Sequence, residues 1–338
     1  MRGKKMKKVF SLVISAMLSA SILGGCATKT TNVEEEKKDW APDKEIQFIV
    51  PSSAGGGSDL NARTIADLAF KNKFSPKNFM ILNQGGGSGA VAFSNINAKK
   101  ADPNTIMVLH SGQVMGSYVN NWDVKAEMLT YIGVVAFDDL TLCIMKDSKF
   151  TDLKGLLDAV KENPEGIKIG GAQRGNSDHL SYSLLNEYTK SKFTYVQFGS
   201  SGEAMSALLG GHVDAAIFNP SEAMGQIKAG KVVPVAAFSA ERIGGVFKDT
   251  PTFKELGYEK IEVREVRAIA GPPDMPAEAV KFYDDMLKKV TESDEWKTKY
   301  IEKSLLTPAY MNAADTKKFF EEQIVLYKKV FTELGVMK

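Results

Sequence analysis

Glu45-Ile46-Gln47-Phe48-Ile49-Val50-Pro51-Ser52-Ser53-Ala54-Gly55-Gly56-Gly57-Ser58-Asp59 is the stretch that sets the fold. Its first six residues are an apolar, β-branched run that predicts a strand. Pro51 to Gly57 is a loop of small residues. Ser58 offers a hydroxyl as N-cap, and Asp59 to Phe70 places Ala62, Ile65, Ala66 and Ala69 on one helical face. A strand that ends in a glycine loop and opens into a helix is the repeating unit of a parallel sheet covered by helices.

Working outward, the unit recurs. Asn78–Asn83 reads as a second strand, Gln84–Gly89 as a second glycine loop and Ala90–Lys99 as a second helix. Thr105–Leu109 is a third strand, ending at His110-Ser111-Gly112. Further on, strand Gly166–Gly170, loop Gly171–Ser177 and helix Asp178–Tyr188 repeat the pattern. Strand Phe193–Gln197, the loop Phe198–Gly202 and helix Glu203–Leu209 follow, and Val213–Phe218 and Val232–Phe238 complete a second sheet. The tail from Pro276 to Leu334 reads as helical, with amphipathic runs at 277–290 and 316–334. Two α/β units are expected, with chain crossings near 131–142 and 262–270 acting as a hinge.

Loops at the carboxyl ends of strands are where open α/β sheets bind ligands. Glycine lets a ligand approach the backbone, and the free N–H groups of the first helical turn favour an anion. A helix dipole contributes about 0.3–1 kcal/mol to such binding, and each charge-assisted hydrogen bond about 1.5–3 kcal/mol. Paired loops can therefore hold a carboxylate without an arginine. The candidate ligand-binding residues of the first unit are Ser53, Gly56, Gly57, Ser58, Asp59, Gly86, Gly87, Ser88 and Ser111. Those of the second are Arg174, Asn176, Ser177, His179 and Ser201. Arg174 is the single charge in its loop and could take a second carboxylate bidentately. Neither glycine loop has the spacing of a dinucleotide or phosphate-binding motif.

The amino terminus carries a different signal. Arg2, Lys4, Lys5, Lys7 and Lys8 precede an uncharged, mostly apolar run from Val9 to Leu23, too short for a membrane span. Leu23-Gly24-Gly25-Cys26 resembles the lipobox of bacterial lipoproteins, in which the cysteine bears the lipid after cleavage. Residues 1–25 are thus expected to be a lipoprotein signal peptide and Cys26 the lipidation site. Residues 26–40 form the anchor and a polar, charge-dense tether. The expected location is the outer face of the cell membrane. Residues 26–338 hold 38 basic and 41 acidic side chains, a net charge of −3 that gives no footprint for nucleic acid. The remaining cysteine, Cys143, sits in an apolar run and is expected to be buried. His110, His179 and His212 lie too far apart in sequence to suggest a metal site. No cofactor is expected.

Several motifs in order resemble the receptors of tripartite tricarboxylate transporters. They are Ile49-Val50-Pro51 with Gly55-Gly56-Gly57-Ser58-Asp59 and Ala62-Arg63, then Asn83-Gln84-Gly85-Gly86-Gly87-Ser88-Gly89. Gly175-Asn176-Ser177-Asp178-His179-Leu180 is similar to the family's Gly-x-Ser-x-x-His-Leu stretch, apart from the position of the serine. Phe198-Gly199, Leu209-Gly210-Gly211-His212-Val213-Asp214, Ala229-Gly230-Lys231, Glu241-Arg242, Pro251–Tyr258 and Pro272-Pro273-Asp274-Met275-Pro276 follow. The family usually has proline where Gly85 stands, Asp-Gly-Tyr-Thr where Asp102–Thr105 stands, and Val-Pro-Tyr where Val196–Phe198 stands.

The resemblance, over about residues 42–335, implies a two-lobed periplasmic-binding-protein-like α/β fold of type II. Each lobe would be a mainly parallel sheet flanked by helices, with 41–137 plus 265–338 as lobe 1 and 138–264 as lobe 2. It implies a solute receptor that closes on a small carboxylate: a di- or tricarboxylate, an amino acid or an aromatic carboxylate. It also implies delivery to a transporter with one large and one small membrane subunit. A receptor for an ATP-driven importer would share the architecture. An exported serine hydrolase is the rival of another class, but Gly86-x-Ser88-x-Ala90 lacks the last glycine of a nucleophile elbow. Asp178, adjacent to His179 on one helix, is a poor orienter for it.

Overall fold

The structure, a computed structural model, describes residues 40–172 and 174–337. The leader, Cys26 and the tether up to residue 39 lie outside the described residues. Four strands begin the first sheet: β1 (Ile46–Val50), β2 (Phe79–Asn83), β3 (Thr105–His110) and β4 (Thr130–Phe137). The chain then crosses over to build β5 (Thr141–Met145), β6 (Lys168–Ala172), β7 (Thr194–Phe198), β8 (Ala215–Phe218) and β9 (Val232–Ala237). It returns as β10 (Val266–Gly271) and β11 (Thr307–Met311). The sheet orders are β11-β4-β10-β3-β1-β2 and β7-β6-β8-β5-β9.

Each sheet is mixed, which refines the expectation of mainly parallel lobes. Parallel pairing is confined to β2-β1-β3 and to β7-β6-β8, the halves that carry glycine loops. The antiparallel pairs come from the crossings. β4 leaves the first sheet and β10 re-enters it alongside, so the two run in opposite directions, with Val266 opposite Phe137. β5 and β9 repeat this in the second sheet. In β1 the residues Ile46, Phe48, Ile49 and Val50 are fully buried, as expected of a parallel strand covered on both faces.

The helices are α1 (Gly57–Lys71), α2 (Ala90–Asn97), α3 (Ser111–Val119), α4 (Leu153–Glu162), α5 (Ser177–Thr189), α6 (Ser201–Leu209), α7 (Pro220–Lys228) and α8 (Ala277–Glu292). A C-terminal helix, Ala313–Glu333, completes them. Two local readings are corrected. The N-cap of α1 is Gly56, with Ser58 buried inside the first turn, because Asp59 rather than a cap hydroxyl takes the loop's N–H. The tail is not helical throughout: β11 interrupts it and pairs with β4. Helices α3, α4 and α7 were not anticipated.

One apolar cluster runs through both sheets. It joins Ile49, Phe93 and Leu109 to Leu142, Ile169 and Leu184, with Tyr327 and Phe331 of the C-terminal helix between them. That helix packs on β4 and α3 of the first unit and on α5 of the second. Each fully buried Phe or Leu there contributes about 1.5–3 kcal/mol relative to exposure. Cys143 is fully buried, and burial pushes its thiol up to about 12. No described helix is long and apolar enough to cross a membrane.

Candidate functional site

The two glycine loops of the first sheet lie side by side. A Cβ placed on Gly85 would stand 3.5 Å from the backbone nitrogen of Ser53. Asp59 knits them together. Its Oδ2 accepts from the Gly55 N–H at 2.8 Å and from Arg63 Nε at 3.0 Å, and its Oδ1 accepts from Asn83 Nδ2 at 3.0 Å. The Arg63 hydrogen bond is the main reason its carboxyl is held down at about 2. Asp59 is therefore a brace between the two loops, its carboxylate oxygens taken up by Gly55, Arg63 and Asn83. Ser53, Gly56, Gly57, Gly86, Gly87 and Ser88 are exposed.

Beside these loops opens a cleft of about 430 Å³. Ser88, His110, Gly112, Gly116 and Asn120 line it from one side. Arg174, Asn176, Ser177, Asp178, Ser200, Ser201, Asn219 and Glu222 line it from the other, with Glu265 beside the return crossing. The second-lobe loop comes close: a Cβ on Gly175 would meet Val119 Cγ1 of α3 at 2.6 Å. Two helix N-termini face this space with filled caps. Asn176 Oδ1 accepts from the His179 N–H at 3.1 Å, and Ser200 Oγ accepts from the Glu203 N–H at 3.3 Å.

The structure thus brings Ser88, Arg174, Asn176, Ser177 and Ser201 to one cavity. The other nine candidates do not line it: Ser53, Gly56, Gly57, Gly86 and Gly87 lie exposed on the two glycine loops, Asp59 is the brace between those loops, and three more lie elsewhere. Ser58 is buried in α1. Ser111 is buried, its Oγ accepting from the Val266 N–H at 3.0 Å and bracing β10. His179 lies under the loop and lines a neighbouring cavity. Its Nδ1 accepts from the Gly175 N–H at 3.2 Å, and its ring stacks on Tyr195 with centroids 4.6 Å apart. Burial first, and Arg174 second, push its pKa down to about 4, so it is neutral near pH 7. It does not line the cleft with Ser88, which removes the geometric basis for pairing Ser88 with His179.

The cleft also has acidic residues that sequence reading missed. Glu222 accepts from Ser201 Oγ at 2.7 Å and from the Asn219 N–H at 3.1 Å. Asn219 Nδ2 in turn reaches Asp138 Oδ1 at 3.0 Å. Asp178 Oδ2 accepts from the Ala172 N–H at 2.7 Å. Burial raises both Asp178 and Glu222, and the neighbouring carboxylates add to the rise. Glu265 lies 3.5 Å from His110 Nδ1; burial is the largest single influence and raises its pKa, but His110, Arg267 and Asn219 together turn the net direction down. Asn219-Pro220-Ser221-Glu222 was a readable helix start, a capping pair with proline at the first helical position. Nothing local signals that it faces Asp178.

Between the sheets the crossings are cross-linked. Asp138 pairs with Arg267, and Asp139 Oδ1 accepts from Arg264 Nε at 3.0 Å. The Asp138 N–H donates to the Glu265 carbonyl at 2.7 Å. The Arg264 guanidinium lies 3.6 Å from the centre of the Phe137 ring. Among the described residues no group of His, Cys, Asp and Glu could hold a metal ion.

Comparison with known proteins gives this geometry a context. The model of the "Tripartite tricarboxylate transporter family receptor" matches residues 62–336. An Agrobacterium vitis protein, the "UPF0065 protein in the TAR-I ttuE-ttuC' intergenic region", is 27% identical over 345 residues, covering 99% of this chain and 94% of the relative. A TctC solute binding protein from Polaromonas, solved without ligand, superposes with a TM-score of 0.76 at 23% identity, covering 86% of this chain and 99% of that one. R. palustris Rpa4515, solved with adipate, gives 0.72 at 24% identity, covering 88% and 99%. The chain belongs to the tripartite tricarboxylate transporter receptor family, a family of extracytoplasmic solute-binding proteins.

Proposed function

We propose that this protein captures a small carboxylate-bearing solute in the cleft between its two lobes and presents it to the large and small membrane subunits of a tripartite transporter. The lobes are residues 41–137 with 265–338, and 138–264. The observation that carries the reading is the cleft itself. Its volume of about 430 Å³ suits a small metabolite. Its walls come from both lobes, and glycine loops and helix N-termini flank it. Rpa4515, a solved protein of like fold, holds adipate, which supports an organic carboxylate as ligand class. A ligand bridging the lobes favours the closed state through contacts that the open state lacks. Small-angle scattering should therefore record a smaller radius of gyration when a binding carboxylate, found by thermal shift, is added to saturation. An unchanged radius with a bound ligand would mean a rigid, preformed site.

The receptor acts from the outer membrane face, held there by lipid on Cys26. Cys26→Ser should move the protein from the membrane fraction to the soluble fraction of cells. Intact-mass analysis showing an unmodified cleaved terminus on the wild type would overturn the anchor.

A further inference from the structure

We propose a second ligand site, in the cavity bordered by α5, β7 and Leu334 at the end of the C-terminal helix, and that it takes an aromatic carboxylate. The proposal goes beyond the receptor reading and does not rest on it. Of the residues that line this cavity, Arg174 alone also lines the cleft. The volume of about 610 Å³ leaves room for a ring as well as a charged head.

The neutral polar groups of the wall are spent on holding β7. The Tyr182 hydroxyl donates to the Phe193 carbonyl at 2.7 Å. Asn186 Nδ2 donates to the same carbonyl at 3.2 Å, and its Oδ1 accepts from the Phe193 N–H at 2.9 Å. The Thr194 hydroxyl donates to the Glu165 carbonyl at 2.8 Å. What stays open is a set of donors. His179 Nδ1 accepts from the Gly175 N–H, so the hydrogen of the neutral ring sits on Nε2. That N–H makes no hydrogen bond to a described residue and is not sealed from solvent, although His179 is only 4% exposed. A donor in so buried a ring is met by whatever enters the cavity that the ring lines. Arg174 and Lys192 are exposed at the same cavity, and neither forms an ion pair with a described residue. Glu165 is the one acid among the lining residues, against these two cations. The Arg174 charge reaches the His179 ring, where it adds to burial in holding the pKa down.

Aromatic rings back the donors. Tyr195 and Tyr182 stack on His179 with centroids 4.6 Å and 6.0 Å away, and the two tyrosines meet at 5.0 Å. Both are half-buried, and Phe193 and Leu334 extend the apolar wall. A carboxylate head matches the guanidinium fork and the imidazole N–H. A flat ring suits the uncovered parts of the tyrosines.

Calorimetry on the full-length protein tests the site with benzoate, with benzamide, which lacks the charge, and with acetate, which lacks the ring. Benzoate should bind about tenfold or more tightly than either, since a charge-assisted hydrogen bond and a buried ring each act on that scale. Lys192→Glu reverses a charge that lines this cavity and not the cleft, and should weaken benzoate about tenfold. Gly86→Val, on the glycine loop of the first lobe, should leave benzoate affinity unchanged. Imidazole NMR locates the ligand. The chain has three histidines. His110 lines the cleft, His179 lines this cavity and His212 lines neither. Benzoate should move the ring signals of His179 alone, identified as those that survive in both His110→Gln and His212→Gln. Shifts at His110 without shifts at His179 would overturn the second site. So would benzoate binding that Gly86→Val weakens and Lys192→Glu keeps, benzamide or acetate binding as tightly as benzoate, or no benzoate binding at all. Each of these results leaves the receptor reading standing.

Discussion

Asp138→Ala should cost the folded protein about 3–5 kcal/mol, the usual effect of removing one partner of a buried ion pair. Asp138 is 3% exposed and sits at the first residue after β4, where the chain leaves the first sheet. Its carboxylate pairs with Arg267 of β10 and accepts from Asn219 before α7. Truncation strands the Arg267 guanidinium, whose Nε already lacks a hydrogen-bond partner, in a mostly buried place. It also cuts the link between the return crossing and the second sheet. Urea denaturation followed by circular dichroism should show a lower midpoint with little change in slope. Replacing both partners, Asp138→Leu with Arg267→Met, should recover much of the loss, because a matched apolar pair strands no charge. A midpoint within experimental error of the wild type for Asp138→Ala would mean that solvent already compensates the pair.

Gly86→Val should weaken binding of any carboxylate found for the wild type at least tenfold, about 1.4 kcal/mol. Gly86 adopts φ = 120°, and a Cβ there would stand 3.0 Å from Val91 Cγ2. A branched side chain is strained in that backbone region, and relief would move the turn that carries Ser88 into the cleft. The control is Gly211→Val, at a left-handed glycine (φ = 70°) in open space away from the cleft. It should cost stability and leave affinity alone. Equal affinity losses in the two variants would mean that general loosening, not the second glycine loop, weakens binding.

The alternation of strand, glycine loop and helix was readable because each part has its own local cause. Apolar runs such as Ile46–Val50 need burial on both faces, glycine clusters cannot hold regular structure, and periodic alanines follow. The sheets' mixed pairing was not readable, because it follows from where the chain re-enters the first sheet. No residue in Val266–Gly271 encodes its direction relative to β4. β11 hid for another reason: Thr307–Met311 has only five residues and lies between helices in a charged, amphipathic tail. Of the cleft, Ser88, Arg174, Asn176, Ser177 and Ser201 were legible from loops that follow strands, whereas the candidate glycines Gly56, Gly57, Gly86 and Gly87 do not line it. Its acidic half was not legible, since Asp178, Glu222 and Glu265 are separated by more than forty residues each. Each reads alone as a first-turn or surface acid.

The Asp59 brace has a kinetic consequence. Fixing one residue's backbone costs roughly 1–2 kcal/mol, and a loop rich in glycine would ordinarily meet that cost when a solute arrives. Here the Gly55 amide, the Arg63 side chain and the end of β2 are already tied to one carboxylate. The ordering entropy of the first loop is settled during folding. In the receptor reading, an arriving solute meets a preset surface, and the slow event left is the approach of the lobes, a microsecond-to-millisecond motion. Capture then runs at the pace of the hinge rather than the pace of a folding loop.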